Sequence, residues 1–153
     1  MNRPIAVFDS GVGGLSTLAK LKSDLPKEDF LYFADNLNAP YGKKSKQEIL
    51  NLTLKAIEGI SAHNPKAIVI ACNTVTGLCI ETLRQNYPDV LFFGIQPAVK
   101  PAPKNTLVFV TTATAGCDNF RQVVENYGEN KAYIFPLKDA AELIEKNTPD
   151  DEF

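Results

Sequence analysis

A chain of 153 residues, 44% hydrophobic and 22% charged, holds enough apolar material for one globular core, or for one domain and part of another. A formal net charge of −2 leaves no basic footprint for nucleic acid, and no apolar run approaches the length that crosses a bilayer. The three cysteines, Cys72, Cys79 and Cys117, are odd in number and fit no zinc or redox spacing, so neither a disulfide framework nor a cysteine metal site is expected.

The amino-terminal Met1-Asn2-Arg3-Pro4 enters a strand without a signal-peptide core, which predicts a cytoplasmic chain. Ile5-Ala6-Val7-Phe8 reads as a short buried strand, and Leu15, Leu18, Ala19 and Leu21 give the stripe of a helix that Pro26 stops. Between them lies Asp9-Ser10-Gly11-Val12-Gly13-Gly14. Strand, glycine-rich turn and helix form the frame of an anion-binding loop. The spacing is not GxGxxG and no Lys-Ser or Lys-Thr follows the glycines, which excludes the dinucleotide and P-loop readings. Asp9 closes the strand, where a turn-making residue and a functional carboxylate are equally in keeping.

Phe30-Leu31-Tyr32-Phe33-Ala34 predicts a second strand, followed by a polar loop from Asp35 to Lys44 that contains Pro40-Tyr41-Gly42. A proline and a glycine around an aromatic fix a bend and let backbone approach a ligand. Ser45-Lys46-Gln47-Glu48 is a capping box for a helix carrying Ile49, Leu52, Ala56, Ile57 and Ile60. The single histidine, His63, ends that helix and is read as structural, since His⁺ suits a helix carboxyl end. A His-based triad and a multi-His metal site are thereby excluded.

Ala67-Ile68-Val69-Ile70 predicts a strand buried on both faces, and Thr74 to Gln85 a helix. Cys72, Asn73 and Thr74 therefore fall where a strand's carboxyl end meets a helix's amino end, the place where open α/β sheets bind ligands. A helix start favours a thiolate or a ligand carboxylate. A buried cysteine is also, by residue type, a common small core residue. Cys79, two helical turns on among Leu78, Ile80 and Leu83, is most simply core.

Val90 to Ile95 predicts a fourth buried strand, and the alternation βαβαβαβ implies a parallel, doubly wound α/β sheet. Pro97, Pro101 and Pro103 mark a linker, which divides the chain into a first domain over 1–97 and a partial second α/β unit over 98–153. In the second unit, Leu107 to Val110 is a strand with a polar end at Thr111-Thr112-Ala113-Thr114. Asp118 to Tyr127 is a helix, Ala132 to Phe135 a strand, Ala140 to Lys146 the start of a helix, and Thr148 to Phe153 a polar tail. Cys117 stands where it caps a helix or lies exposed. A unit of roughly 50 residues seldom buries enough surface to stand alone, so it packs on the first unit, pairs with a second copy in a homodimer, or belongs to something longer.

Three stretches, taken together and in this order, resemble glutamate racemase of the aspartate/glutamate racemase superfamily. They are Phe8-Asp9-Ser10-Gly11-Val12-Gly13-Gly14-Leu15, then Asp35 with Pro40-Tyr41-Gly42-Lys43-Lys44-Ser45, then Ile70-Ala71-Cys72-Asn73-Thr74. The resemblance is close over 4–97 and thinner through Thr111–Thr114. It implies a cofactor-independent racemase that interconverts L- and D-glutamate, the latter for peptidoglycan and so for the cell wall and cell shape. Cys72 matches the cysteine that serves the D enantiomer, and Asp9 the carboxylate that assists it. Ser10, Pro40, Tyr41, Gly42, Asn73 and Thr74 match residues around the substrate's amino and carboxylate groups, and Thr114 matches a contact from the second domain. The family's second cysteine lies in a Gly-Cys-Thr-His segment that does not occur in these 153 residues, and Gln96 stands where the family usually has Glu. The resemblance is thus to the amino-terminal half, and a truncated or naturally shortened homologue is expected. The alternatives are a non-catalytic module that binds acidic amino acids or a partner protein, and a racemase acting on aspartate.

Overall fold

The computed structural model describes residues 3–101, 103, 105–128, 132–139 and 142. The predicted helix from Ala140 to Lys146, apart from Glu142, and the polar tail lie outside the described residues.

The elements follow the predicted alternation. Strand β1 (Ile5–Asp9) leads into α1 (Gly14–Asp24), β2 (Phe30–Ala34), two short 3-10 turns (Asn36–Asn38 and Tyr41–Lys43), and α2 (Lys46–Ser61). Then come β3 (Ala67–Ile70), α3 (Asn73–Asn86) and β4 (Leu91–Gly94). The four strands form one parallel sheet in the order β2-β1-β3-β4. The chain thus winds outward from β1 to β2, crosses to β3 on the other side of β1, and ends at the β4 edge. That reversal beside β1 opens a crevice at the carboxyl ends of β1 and β3.

Local chemistry explains the element ends. The Ser45 hydroxyl accepts from the Glu48 N–H at 3.2 Å, as the capping box predicts. Helix α2 stops at Ser61, and His63 follows as an exposed residue whose N–H donates to the Ile60 carbonyl. Asn64 then turns the chain at φ 49°, a left-handed conformation that asparagine tolerates, and the Arg3 guanidinium donates to the Asn64 and Pro65 carbonyls.

Residues Ala6, Phe8, Ile68, Ile70 and Phe92 point to one side of the sheet and pack with Ile49, Ile57 and Ile60 of α2 and Val75, Cys79 and Leu83 of α3. Helix α1 rests on β1 and β2. Strand β4 departs from expectation. It is not buried on both faces: Phe92 is covered, but Leu91 and Phe93 are 63% and 55% exposed. The reason is position, because β4 is an edge strand and its second face lies beyond β3, away from α1.

The second unit consists of β5 (Thr106–Val110), α4 (Thr112–Ala115), α5 (Asp118–Val123), a π-helical turn (Val124–Gly128) and β6 (Ala132–Pro136). Strands β5 and β6 pair in parallel. Val110, Cys117 and Phe120 form a small core with Val99, and Val108 and Ile134 pack on it. The opposite face, made by Leu107, Phe109, Tyr133 and Phe135, stays open to solvent. Cys117 occupies the position before α5 but is buried, and its thiol donates to the Thr114 carbonyl at 3.1 Å rather than capping the helix.

Candidate active site

The crevice at the ends of β1 and β3 is a cleft of about 360 Å³. It collects every candidate site residue except Thr114. Asp9, Ser10 and Gly13 come from the first turn, Pro40, Tyr41 and Gly42 from the second loop, and Cys72, Asn73 and Thr74 from the start of α3.

Register explains which side chains meet. Phe8 pairs with Ile70, and the Ala71 N–H donates to the Phe8 carbonyl at 2.8 Å, so the two strands continue side by side beyond their paired ends. Ser10 and Cys72 are then equivalent positions on neighbouring strand ends and point the same way. The Ser10 Oγ lies 3.0 Å from the Cys72 Sγ. Asp9, one residue earlier, alternates to the α1 side. Its Oδ2 accepts from the Gly14 N–H at 2.8 Å. Gly14 is required for closeness, not for an unusual backbone angle. A Cβ there would sit 2.7 Å from the Asp9 Cβ, 3.1 Å from the Tyr32 hydroxyl and 3.2 Å from the Ala71 Cβ. No described glycine has a positive φ.

Cys72 is buried and stands at the position before α3. The helix start favours its thiolate, as the amino-terminal placement predicts, through the Thr74 and Val75 amides. Burial outweighs that effect. Removal from water pushes the thiol above its ordinary range, the Asp9 carboxylate pushes it further the same way, and the Ser10 hydroxyl opposes both. A helix start marks where a thiolate is favoured, but the sign of the net shift is set by desolvation.

The second loop is braced from behind. Asp35 accepts from the Tyr41 hydroxyl at 2.6 Å and from the Asn38 amide at 2.8 and 3.0 Å. Tyr41 is buried, and burial followed by this hydrogen bond raises its phenol far above the ordinary value. The Ala39–Pro40 peptide is cis. Gly42 faces the second unit: a Cβ there would meet the Thr111 Cβ at 3.0 Å. Lys43 forms ion pairs with Asp139 and Glu142, which follow β6 in the chain.

Thr114 is placed differently from the other expected residues. It is buried and lies behind the cleft, with its hydroxyl 3.2 Å from that of Thr74 and 2.9 Å from that of Thr111. The residue of the second unit that lines the cleft is Thr111, which also caps α4 by accepting from the Thr114 N–H. The sequence signal for it is a threonine three residues before Thr114 at a strand's polar end, the pattern of a helix cap. Ser16, Thr17, Ala71 and Ile95 complete the wall. Cys79 belongs to the main core, where burial raises its thiol to about 11, and Cys117 belongs to the second core. Among the described residues no three His, Cys, Asp or Glu side chains converge as a metal site, and no helix is long and apolar enough to cross a membrane.

No protein-family model matches the chain. It is 44% identical over 149 residues to the glutamate racemase of Clostridium novyi (strain NT), an alignment that covers 94% of this chain and 58% of that protein. With a glutamate racemase of Clostridium perfringens it shares 43% identity over 150 residues, again 58% of the relative. The structure superposes on Francisella tularensis glutamate racemase in complex with D-glutamate with a TM-score of 0.82 at 28% identity, covering 95% of this chain and 57% of that one. With Escherichia coli glutamate racemase in complex with L-glutamate and the activator UDP-MurNAc-Ala, the TM-score is 0.80 at 29% identity, covering 92% and 56%. In sequence and in fold alike, the chain is similar to the amino-terminal part of glutamate racemases and spans about 58% of the length of the curated relatives it matches.

Proposed function

We propose that this chain carries the D-glutamate-facing side of a cofactor-independent glutamate racemase site, with Cys72 as the base. The observation that carries this reading is the convergence of Cys72, Ser10, Asn73 and Thr74 with Tyr41-Gly42 and Asp9 on one cleft at the sheet's switch point. An α-proton beside a carboxylate is very weakly acidic, so its removal needs a positioned base, an environment that excludes water, and donors for the developing enediolate-like charge. The Cys72 thiolate takes the α-proton to become a thiol, and the electron pair moves onto the substrate carboxylate. Ser10, Tyr41, Gly42, Asn73 and Thr74 hold the substrate's charged groups. Against the upward push of burial and of the Asp9 carboxylate, the Ser10 hydroxyl and the Thr74 and Val75 amides favour the thiolate form of this base. Glutamate is the substrate of this reading, its product serves peptidoglycan synthesis, and its compartment is the cytoplasm.

Neither Cys79 nor Cys117 lines the cleft, so among the described residues only one thiol faces a substrate. One-sided exchange is therefore expected of the chain by itself. In D2O, the α-proton NMR signal of D-glutamate is lost while that of L-glutamate stays, and chiral analysis finds no inversion. Loss with inversion locates a second base within the chain. Retention of the signal by both enantiomers defeats the catalytic reading and leaves binding of acidic amino acids, which titration calorimetry with glutamate and aspartate then measures.

The open β5–β6 face favours pairing with a second copy. Leu107, Phe109, Tyr133 and Phe135 are each about half exposed and leave on the order of 400 Å² of apolar surface in water. A contiguous apolar patch of this size is often an interaction surface. Sedimentation velocity is expected to show a dimer that Phe109→Lys converts to monomer; a wild-type chain that stays monomeric at every concentration removes this reading.

A further inference from the structure

We propose that Ser10 is the positioning residue for Cys72, and that its hydroxyl, not the Asp9 carboxylate, holds the sulfur in place at the cleft. The inference deepens the reading of Cys72 as a base and rests on it for its catalytic meaning, but its test needs no substrate.

The geometry separates the two neighbours. Ser10 and Cys72 occupy equivalent places past β1 and β3, on the same side of the sheet, with oxygen and sulfur 3.0 Å apart. Asp9, one strand position earlier, also borders the cleft, but it makes no hydrogen bond to the sulfur, and its Oδ2 is engaged by the Gly14 N–H at 2.8 Å. Protonated Cys72 can donate to Ser10 or accept from it, whereas a thiolate only accepts. Ser10 is therefore the side chain whose O–H follows the protonation state of the sulfur. A hydrogen bond to a charged acceptor in a dry site is among the stronger ones. Asp9 acts on the same sulfur only through its charge, and with the opposite sign. The other titratable groups whose charge is felt between them and this sulfur are Tyr41 of the second loop and Cys79 of α3.

The opposed signs give a decisive experiment. The pH dependence of Cys72 alkylation by iodoacetamide, resolved by peptide mass spectrometry, reports the thiol's midpoint in the ligand-free chain. Ser10→Ala is expected to raise that midpoint, so that at a fixed pH below it Cys72 reacts about tenfold more slowly. Ser10→Thr keeps the hydroxyl and restores wild-type behaviour. Asp9→Asn keeps an acceptor for Gly14 and is expected to lower the midpoint. Because a smaller side chain also opens access to the sulfur, the midpoint is the readout and not the plateau rate. Cys79 and Cys117 do not line the cleft, which Cys72 does, and stay unreactive in any variant that remains folded. An unchanged midpoint in folded Ser10→Ala, or a raised midpoint in Asp9→Asn, overturns the proposal. A midpoint that moves as expected in a chain that exchanges neither enantiomer of glutamate upholds the Ser10 contact and defeats the racemase reading.

Discussion

Cys72→Ser leaves the fold in place and slows exchange of the D-glutamate α-proton by roughly 10²–10⁴-fold, the range that a positioned general base contributes. Serine is close in shape, and its hydroxyl can keep a hydrogen bond with Ser10. What it lacks is an accessible anion, since an alcohol ionises far above a thiol even when the thiol is itself raised by burial. The contrast is Cys79→Ser. Cys79 has no solvent exposure and packs in the main core beside the Thr53 hydroxyl, so a serine hydroxyl there finds one partner and costs about 0.5–2 kcal/mol in stability. It leaves exchange by the folded fraction unchanged. Urea unfolding together with NMR exchange in D2O separates the two kinds of loss. Wild-type exchange in Cys72→Ser would mean that another group is the base.

Much of this was legible in the sequence, and the reasons are local. Ala67–Ile70 is readable because a parallel strand between two helical layers needs apolar residues on both faces, and all four are buried. The placing of Ser10, Cys72, Asn73 and Thr74 at the cleft follows from the same element order, since strand ends next to helix starts gather at the switch point. The exposure of β4 was not legible. Leu91-Phe92-Phe93 has the composition of a buried strand, but burial depends on what lies over it, and only Phe92 is covered. Thr111 was not legible either. Its sequence is that of any helix cap, and its approach to Gly42 exists only once two separate loops have been brought together. The direction of the Cys72 shift needed a degree of burial that no motif encodes.

Gly77→Ala tests how tightly the second unit is seated on the first, and two opposing terms decide its sign. Alanine in a helix interior is favoured over glycine by about 1 kcal/mol. That gain is expected for Gly59→Ala in α2, where a Cβ meets nothing within 4 Å. At Gly77 in α3 the new Cβ falls 2.4 Å from the Cys117 Sγ, a contact that cannot stand. Cys117 is buried and tied to the Thr114 carbonyl, so the strain is not relieved by a swing into solvent. Overpacking of this kind costs about 1–3 kcal/mol, enough to cancel the propensity gain and in most of that range to exceed it. Urea unfolding should therefore place Gly77→Ala below Gly59→Ala by at least about 1 kcal/mol. Cys117→Ala removes the sulfur and leaves its Cβ at an ordinary 3.5 Å from the new methyl, so the double variant is expected to be more stable than the sum of the single effects. Equal stabilities for Gly77→Ala and Gly59→Ala would mean that this contact is loose. The link to function runs through the threonine hydroxyls. Thr114, which the displaced Cys117 holds by its carbonyl, bonds Thr74 at the cleft. Gly77→Ala should then weaken glutamate binding, and Gly59→Ala, with the same change of side chain, should leave it as it is.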